Sequence, residues 1–374
     1  MSSSPDVAIV GGGIIGLTAA YFLARAGLSV AVYDRADFGK EASWAGAGII
    51  PPGDPRRAAT PADKLRGIGS RRFPEFSAEL RDLTGVDNGF RTCGAIEFLL
   101  PEDADVPGVW RGEGIAFERL TAGAAERLEP LGAVAGEPYL LPDCAQVRNP
   151  WHLRAVTRAC ERAGVHLHPG TAVAAWEPGP GRVRGARLAS GERVTAGRYL
   201  LAAGAWSEPL LAQLGHRPRV HPVRGQIALL RGDTCSRVLM LGKRYLVPRG
   251  DGLTLVGSTE EPESGFEKRT TPEGVAGLLA FARATVPALA RAALETAWAG
   301  LRPGSPDGLP FLGPVPGAEG VFVATGHFRA GVQLSIGTAQ AVTELLTDEP
   351  PCVDLSAFAL DRTPSAGART AFRS

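Results

Sequence analysis

Three glycines, Gly11, Gly13 and Gly16, stand at G-x-G-x-x-G spacing, with Gly12 as an extra. That spacing suits a diphosphate. The first glycine permits a tight turn, the second lets backbone approach the phosphates, and the third lets a helix pack against a strand. The phosphates then lie at a helix N-terminus, where free N–H groups and the dipole favour negative charge. Asp34 closes the following strand, where an acid holds a ribose hydroxyl. Together these residues imply a dinucleotide site. Small residues recur in 42–48 (ASWAGAG) and in 202–205 (AAGA). With no side chain to fill the space, backbone there passes close to something.

These residues need elements to hold them. Residues 7–10 read as a strand, the apolar run after Gly13 as a helix, and 30–33 as a second strand. Helices are expected over 61–83, 121–128 with Thr121 as N-cap, 149–163, 271–293 with Pro272 in its first turn, and from Gly331 to about Leu346. Residues 90–100 read as strand and 101–114 as an acidic loop. Residues 165–167, 172–176, 182–188 and 193–195 read as short strands. An apolar strand from Arg198 ends in a small-residue turn, with Ser207 expected to cap the next helix. Repeated strands fill 221–255, a short one 297–303, and a clean one 321–325. Cofactor-type βα segments therefore sit at the start, middle and end of the chain. The expected division is discontinuous: 1–84, 140–218 and 300–360 around the dinucleotide, and 85–139 and 219–299 in a second, sheet-rich part. Residues 361–374 are expected to be a disordered tail.

The chain has 374 residues, 44% hydrophobic and 21% charged, which fits a globular protein of two domains. A net charge of +1 argues against a nucleic-acid partner. The five cysteines are scattered with no C-x-x-C pair, which fits a reduced compartment and no metal site. Residues 7–24 are apolar enough to imitate a membrane span. Their glycines and the strand that follows favour a buried βαβ unit, so no integral membrane segment is expected. With no targeting segment, the cytoplasm is the expected location.

Three stretches, VAIVGGGIIGLTAAYFLARAG, ASWAGAGII and AWAGLRPGSPDGLPFLGPVPG…GVFVATGHFRAGVQLS, together resemble the D-amino acid oxidase family of flavoproteins. The match is nearest to its glycine oxidase branch, associated with thiamine biosynthesis, and covers nearly the whole chain in order. The resemblance implies an α/β fold: a Rossmann-type FAD-binding domain interleaved with a substrate domain on a mixed, largely antiparallel sheet. It implies FAD, with Gly11, Gly13, Ile14, Ile15 and Gly16 at the pyrophosphate turn and Asp34 and Arg35 at the ribose. Asp34 stands where the family usually has Glu. Ala42, Ser43, Ala47, Gly48 and Ile49 match the loop along the flavin, and Val173 the adenine contact. His327, Phe328, Arg329, Ala330, Gly331, Val332 and Gln333 match the segment beneath the isoalloxazine. Arg302 matches the arginine that binds the substrate carboxylate, Tyr245 the pocket tyrosine, and Arg329 the second pocket arginine. Glu260 falls in a segment that resembles V-G-x-T-E.

Such an enzyme moves hydride from Cα of an amine to flavin. Arginine suits the clamp because its planar fork meets a carboxylate at two points. Hydride transfer from a neutral amine needs no protein base, so His327 is expected to pack and hydrogen-bond. Only Cys352 lies past residue 300, outside the flavin segment, so FAD is expected to be non-covalent. The leading expectation is oxidation of glycine or a small D-amino acid, with O2 reduced to hydrogen peroxide. Rivals are oxidases of sarcosine, D-proline or larger D-amino acids, and a quinone-linked dehydrogenase. A tRNA-modifying relative would carry a fused methyltransferase and a basic face. A flavin-binding subunit without activity would not keep Arg302 and Tyr245. The resemblance leaves a homo-oligomer open.

Overall fold

The computed structural model describes residues 4–232 and 234–364. Val7–Val10 is the hub of a six-stranded sheet, ordered Phe311–Pro314, Val321–Thr325, Arg198–Leu201, Val7–Val10, Val30–Tyr33 and His166–His168. All neighbours are parallel except the pair Phe311–Pro314 and Val321–Thr325. Side chains alternate across the strand. Val7 and Ile9 face the helices Ile14–Arg25, Pro61–Thr84, Asn149–Arg162 and Gly331–Leu346. Ala8 and Val10 face the other way, toward a three-stranded antiparallel sheet formed by Val173–Pro178, Val183–Leu188 and Arg193–Val194. No helix among the described residues is long and apolar enough to cross a membrane.

The second large sheet has eight strands. Its order is Ala293–Gly304, His221–Arg231, Leu253–Gly257, Arg244–Pro248, Val238–Leu241, Ala95–Leu99, Glu137–Leu141 and Glu118–Arg119. Only Val238–Leu241 and Ala95–Leu99 run parallel, so the sheet is mixed and largely antiparallel, as the sequence implies. One face packs on the helix Pro272–Thr285 through Leu246, Val256 and Leu278. The opposite face carries Ile227, Met240, Tyr245 and Trp298 and meets Ala47 and Ile49.

Five local expectations change. Residues 101–114 are no loop: they form a single turn, Pro101–Asp103, and the helix Val106–Glu113. Burying Trp110 completely against Phe117 and Tyr139 outweighs the loop-like composition. The helix expected over 271–293 stops at Thr285, because Pro287 cannot continue it. Ala293 already opens a strand of 12 residues, longer than 297–303, since it pairs along its length with His221–Arg231. Ser207 is not a cap: the helix Ser207–Gln213 begins on it, and its Oγ donates to Thr325 Oγ1 at 2.9 Å. The tail expectation fails for 361–364, where Arg362 pairs with Asp307 at 2.7 Å; residues 365–374 lie outside the described ones. Thr121 caps its helix as expected, accepting from Ala124 N–H at 3.2 Å.

The third motif glycine is what seats the first helix on the first strand. A Cβ on Gly16 would overlap the Gly11 carbonyl oxygen and press Ile9 Cγ2 at 3.3 Å. Gly16→Ala should therefore destabilise the chain by about 1–3 kcal/mol, the usual cost of overpacking. Urea unfolding checks this. A midpoint equal to wild type would mean that the helix shifts freely at no cost.

Candidate active site

A cleft of about 470 Å³ opens beyond the C-terminal ends of the parallel strands, between them and the exposed side of the eight-stranded sheet. It is lined at one end by Gly11, Gly13, Ile14, Ile15, Asp34, Arg35 and Val173, then by Ala42, Ser43, Ala47, Gly48 and Ile49, and farther on by residues 327–333, Tyr245 and Arg302. Every residue expected at the cofactor lines it except Gly16, which packs behind. The three motif glycines separate cleanly by role. Gly11 has φ +112°, and a Cβ there would overlap the Ala202 carbonyl. Gly16 is closed off by Gly11. Gly13 meets only Ser43 Oγ, at 3.2 Å, so its bare face looks into the cleft. The Asp34 carboxylate accepts from Gly12 N–H at 2.7 Å and Ala36 N–H at 2.9 Å, while burial raises its pKa.

Two helices aim their N-termini into this cleft. Ile14–Arg25 begins after Gly13, and Gly331–Leu346 after Ala330; neither N-cap residue supplies a side-chain cap. Ser43 Oγ accepts the Ile14 N–H at 2.9 Å. Unpartnered N–H groups at a helix start favour negative charge. One such terminus sits at the glycine turn and the other beside the 327–333 segment. That donor set, with the bare Gly13 and the small-residue run, fits a dinucleotide flavin. Gln333 donates to the Pro51 carbonyl at 3.0 Å and to Ser70 Oγ at 2.8 Å. Phe328 has φ +44°, uncommon for a bulky residue and stored where the chain turns beneath the cleft.

The far end is built on bare backbone. Arg302 donates to the Thr259 carbonyl at 3.1 Å and to Ser258 Oγ at 2.7 Å. Its guanidinium lies over Gly225, where any Cβ would overlap it. Tyr245 pairs across strands with Gly257, and its ring covers that glycine in the same way. Arg329 lines the cleft, donates to the Lys243 carbonyl at 2.9 Å and lies 3.9 Å from Glu260. Glu260 pairs with Lys243 and is not a lining residue. Burial opposes its ionisation, but Lys243, Arg329 and Arg302 prevail and hold its pKa below the usual range.

Several lining residues carried no motif signal. Asn149 Nδ2 donates to the Ser43 carbonyl at 2.7 Å and fixes the small-residue loop from a helix 106 residues later. Its Oδ1 is buried without a hydrogen-bond partner. Glu97 and Met240 stand opposite each other on neighbouring strands and both line the pocket. Arg66 does so too, paired with Asp63 at 2.8 Å. Trp206, Glu41 and Gly225 also escaped, as did Ser258, which holds Arg302 from outside the lining. Only the small-residue run at 202–205 hinted at its neighbour Trp206.

His327 is buried, and one ring nitrogen meets Thr338 Oγ1 at 3.0 Å. Burial pushes its pKa down to about 3. It is neutral at any working pH and is no acid–base group. Between about pH 3 and an unfolded-state value of about 6.5, the unfolded chain holds more protons than the folded one. Its contribution to stability is therefore full above about pH 6.5 and lost as pH falls toward 3. Ring ¹⁵N shifts should show neutral His327 at pH 5. A charged ring there would contradict this environment.

Comparison with known proteins follows the same lines. The model of the "FAD dependent oxidoreductase" (DAO) family matches residues 6–345. The chain is 36% identical to a glycine oxidase of Pseudomonas aeruginosa over 360 residues, covering 95% of this chain and 98% of that one. It is 33% identical to a bifunctional ThiO/ThiG protein of Synechocystis, covering 97% of this chain and 54% of the relative. The crystal structure of glycine oxidase from Geobacillus kaustophilus superposes with a TM-score of 0.89 at 32% identity, over 97% of this chain and all of that one. The chain therefore belongs to the DAO family of FAD-dependent oxidoreductases and is an FAD-dependent amino acid oxidase.

Proposed function

We propose that this chain oxidises glycine, a small D-amino acid or a small secondary amine to the imine, with O2 as electron acceptor and hydrogen peroxide as product. The reaction serves the thiazole branch of thiamine biosynthesis, in the cytoplasm. The names of the relatives, glycine oxidase and ThiO/ThiG, support this reading. The observation that carries it is Arg302 seated over Gly225 beside Tyr245 over Gly257, two donors for a carboxylate at one end of the cleft. FAD would supply the two-electron acceptor here: hydride from the substrate Cα would carry both electrons to it, leaving the imine, and O2 would take them up with two protons as hydrogen peroxide. FAD is held non-covalently, since Cys352 is not among the cleft residues. We assign FAD to segments 1–84, 140–218 and 300–360 and the substrate to 85–139 and 219–299, with Arg302 reaching the substrate from the end of the strand Ala293–Gly304.

The protein's own part is positioning. Ser258 and the Thr259 carbonyl engage Arg302 from behind, so the guanidinium is fixed before substrate arrives. Tyr245 donates its phenol to the same carboxylate. Ile49, Ile227 and Met240 leave an apolar wall above the clamp that excludes water. Ile49 is branched at Cβ and yields little to a large side chain. With the carboxylate fixed, only one enantiomer presents its Cα hydrogen and its amine together.

Arg302→Ala should lower kcat/KM by two to four decades, since losing one partner of a desolvated pair costs about 3–5 kcal/mol. Gly225→Ala should act in the same direction by displacing the guanidinium, with FAD still bound. A variant within threefold of wild type at position 302 would remove Arg302 from the site.

Glycine or D-alanine should give higher kcat/KM than D-phenylalanine, with L-alanine inert, and Ile49→Ala should raise activity on larger substrates. Anaerobic flavin bleaching across a substrate panel, with a peroxide assay in air, measures both points. Better turnover of D-phenylalanine would refute the pocket. Bleaching without peroxide would identify a dehydrogenase.

A further inference from the structure

Five side chains close a ring over the dinucleotide end of the cleft. The Arg35 guanidinium lies 3.7 Å from the centre of the Trp206 ring. Arg35 Nη2 donates to Glu41 Oε1 at 3.0 Å. Lys268 Nζ donates to the other Glu41 oxygen at 2.8 Å and to the Lys40 carbonyl at 3.0 Å. Two residues before Lys268, Phe266 packs on Trp206, with ring centres 5.5 Å apart. Arg35, Glu41 and Trp206 are lining residues of the cleft. Lys268 and Phe266 belong to the segment between the strand Leu253–Gly257 and the helix Pro272–Thr285. The ring thus runs Trp206, Arg35, Glu41, Lys268, back along the chain to Phe266, and onto Trp206 again.

This segment is not held there by a core. Phe266 is 52% exposed, so its place on Trp206 buries little. The segment is tied to the eight-stranded sheet at its base, where Arg224 pairs with Glu261 at 2.6 Å, and again between Phe266 and Lys268, where Arg224 meets Glu267 at 3.2 Å. The tip reaches the parallel-sheet side through one ion pair, the Lys268 hydrogen bond to the Lys40 carbonyl and one ring contact. Exposed ion pairs are individually weak and screened by salt. Such a tip opens locally while the rest of the fold stays closed.

We propose that this ring is a latch on FAD. Closed, it holds the dinucleotide end in the cleft, and it opens for the cofactor to enter or leave. Lys268 and Phe266 are positioning residues that act through Glu41 and Trp206. The latch concerns FAD alone and stands whatever substrate the far end takes.

FAD release from purified holoenzyme, followed by the fluorescence of the freed flavin, tests it. Lys268→Glu sets like charge against Glu41, and Phe266→Ala removes the ring contact. Each should speed release about tenfold, while Lys268→Arg stays near wild type. Raising NaCl to about 0.5 M should speed release from wild type and not from Lys268→Glu. The melting temperature of the apoprotein should be the same in all four proteins. Release within twofold of wild type in both Lys268→Glu and Phe266→Ala would overturn the proposal. So would an apoprotein weakened as much as the holoenzyme, which would make the ring a structural contact only.

Discussion

Backbone must approach backbone closely along the whole cleft, and residues without side chains make that approach. Gly11 lies against Ala202 and Ala203, Gly16 against the Gly11 carbonyl, and Gly48 against Val147 and Asn149. Gly300 meets the Ala45 methyl in the same way. All of these contacts except that of Gly16 with Gly11 join segments far apart in the chain. The first strand, the small-residue loop, the middle strand and the start of the long strand Ala293–Gly304 converge only because nothing stands between them. A methyl at these places would push apart the walls of the cleft as well as weaken the core.

The same device sets the proposed carboxylate clamp. On most of an antiparallel sheet, cross-strand partners are two side chains that pack on each other. Here Tyr245 faces Gly257, and the Arg302 guanidinium lies over Gly225. A large polar side chain laid over bare backbone lies low and keeps a fixed direction. Two of the five Arg302 donors are spent on Ser258 and Thr259, which orients the fork without neutralising it. The contrast with Glu260 is direct. That carboxylate is bound to Lys243 and flanked by Arg329, so its charge belongs to the rim and not to the pocket.

Electrostatics along the cleft come from backbone as much as from side chains. The helices that begin at Ile14 and Gly331 bring their N-termini to two places where an anion would be stabilised. His327 carries no charge, because burial forbids it. The positive field at the 327–333 segment therefore comes from the helix and from Arg302 and Arg329. At the other end the charges of Arg35, Glu41 and Lys268 are spent on one another.

The sequence by itself determined the cofactor end, because each feature there is local. Strand, glycine turn, helix and closing acid lie within one stretch, and one βα unit fixes their geometry. The final segment was also legible, since Gly326 to Gly331 join a strand directly to a helix. What the sequence could not reveal depends on registers between distant strands. Gly225 and Gly257 look like ordinary strand glycines until the sheet sets them beneath Arg302 and Tyr245. Asn149 reads as the start of a helix, and only packing turns its amide onto the Ser43 carbonyl. Trp110 reads as part of a loop until the space between Phe117 and Tyr139 buries it. Ser207 reads as a cap, but the neighbouring strand offers Thr325, and the hydroxyl goes there. In each case a partner set by packing or strand register outweighs the local preference, and only the tertiary structure supplies that partner.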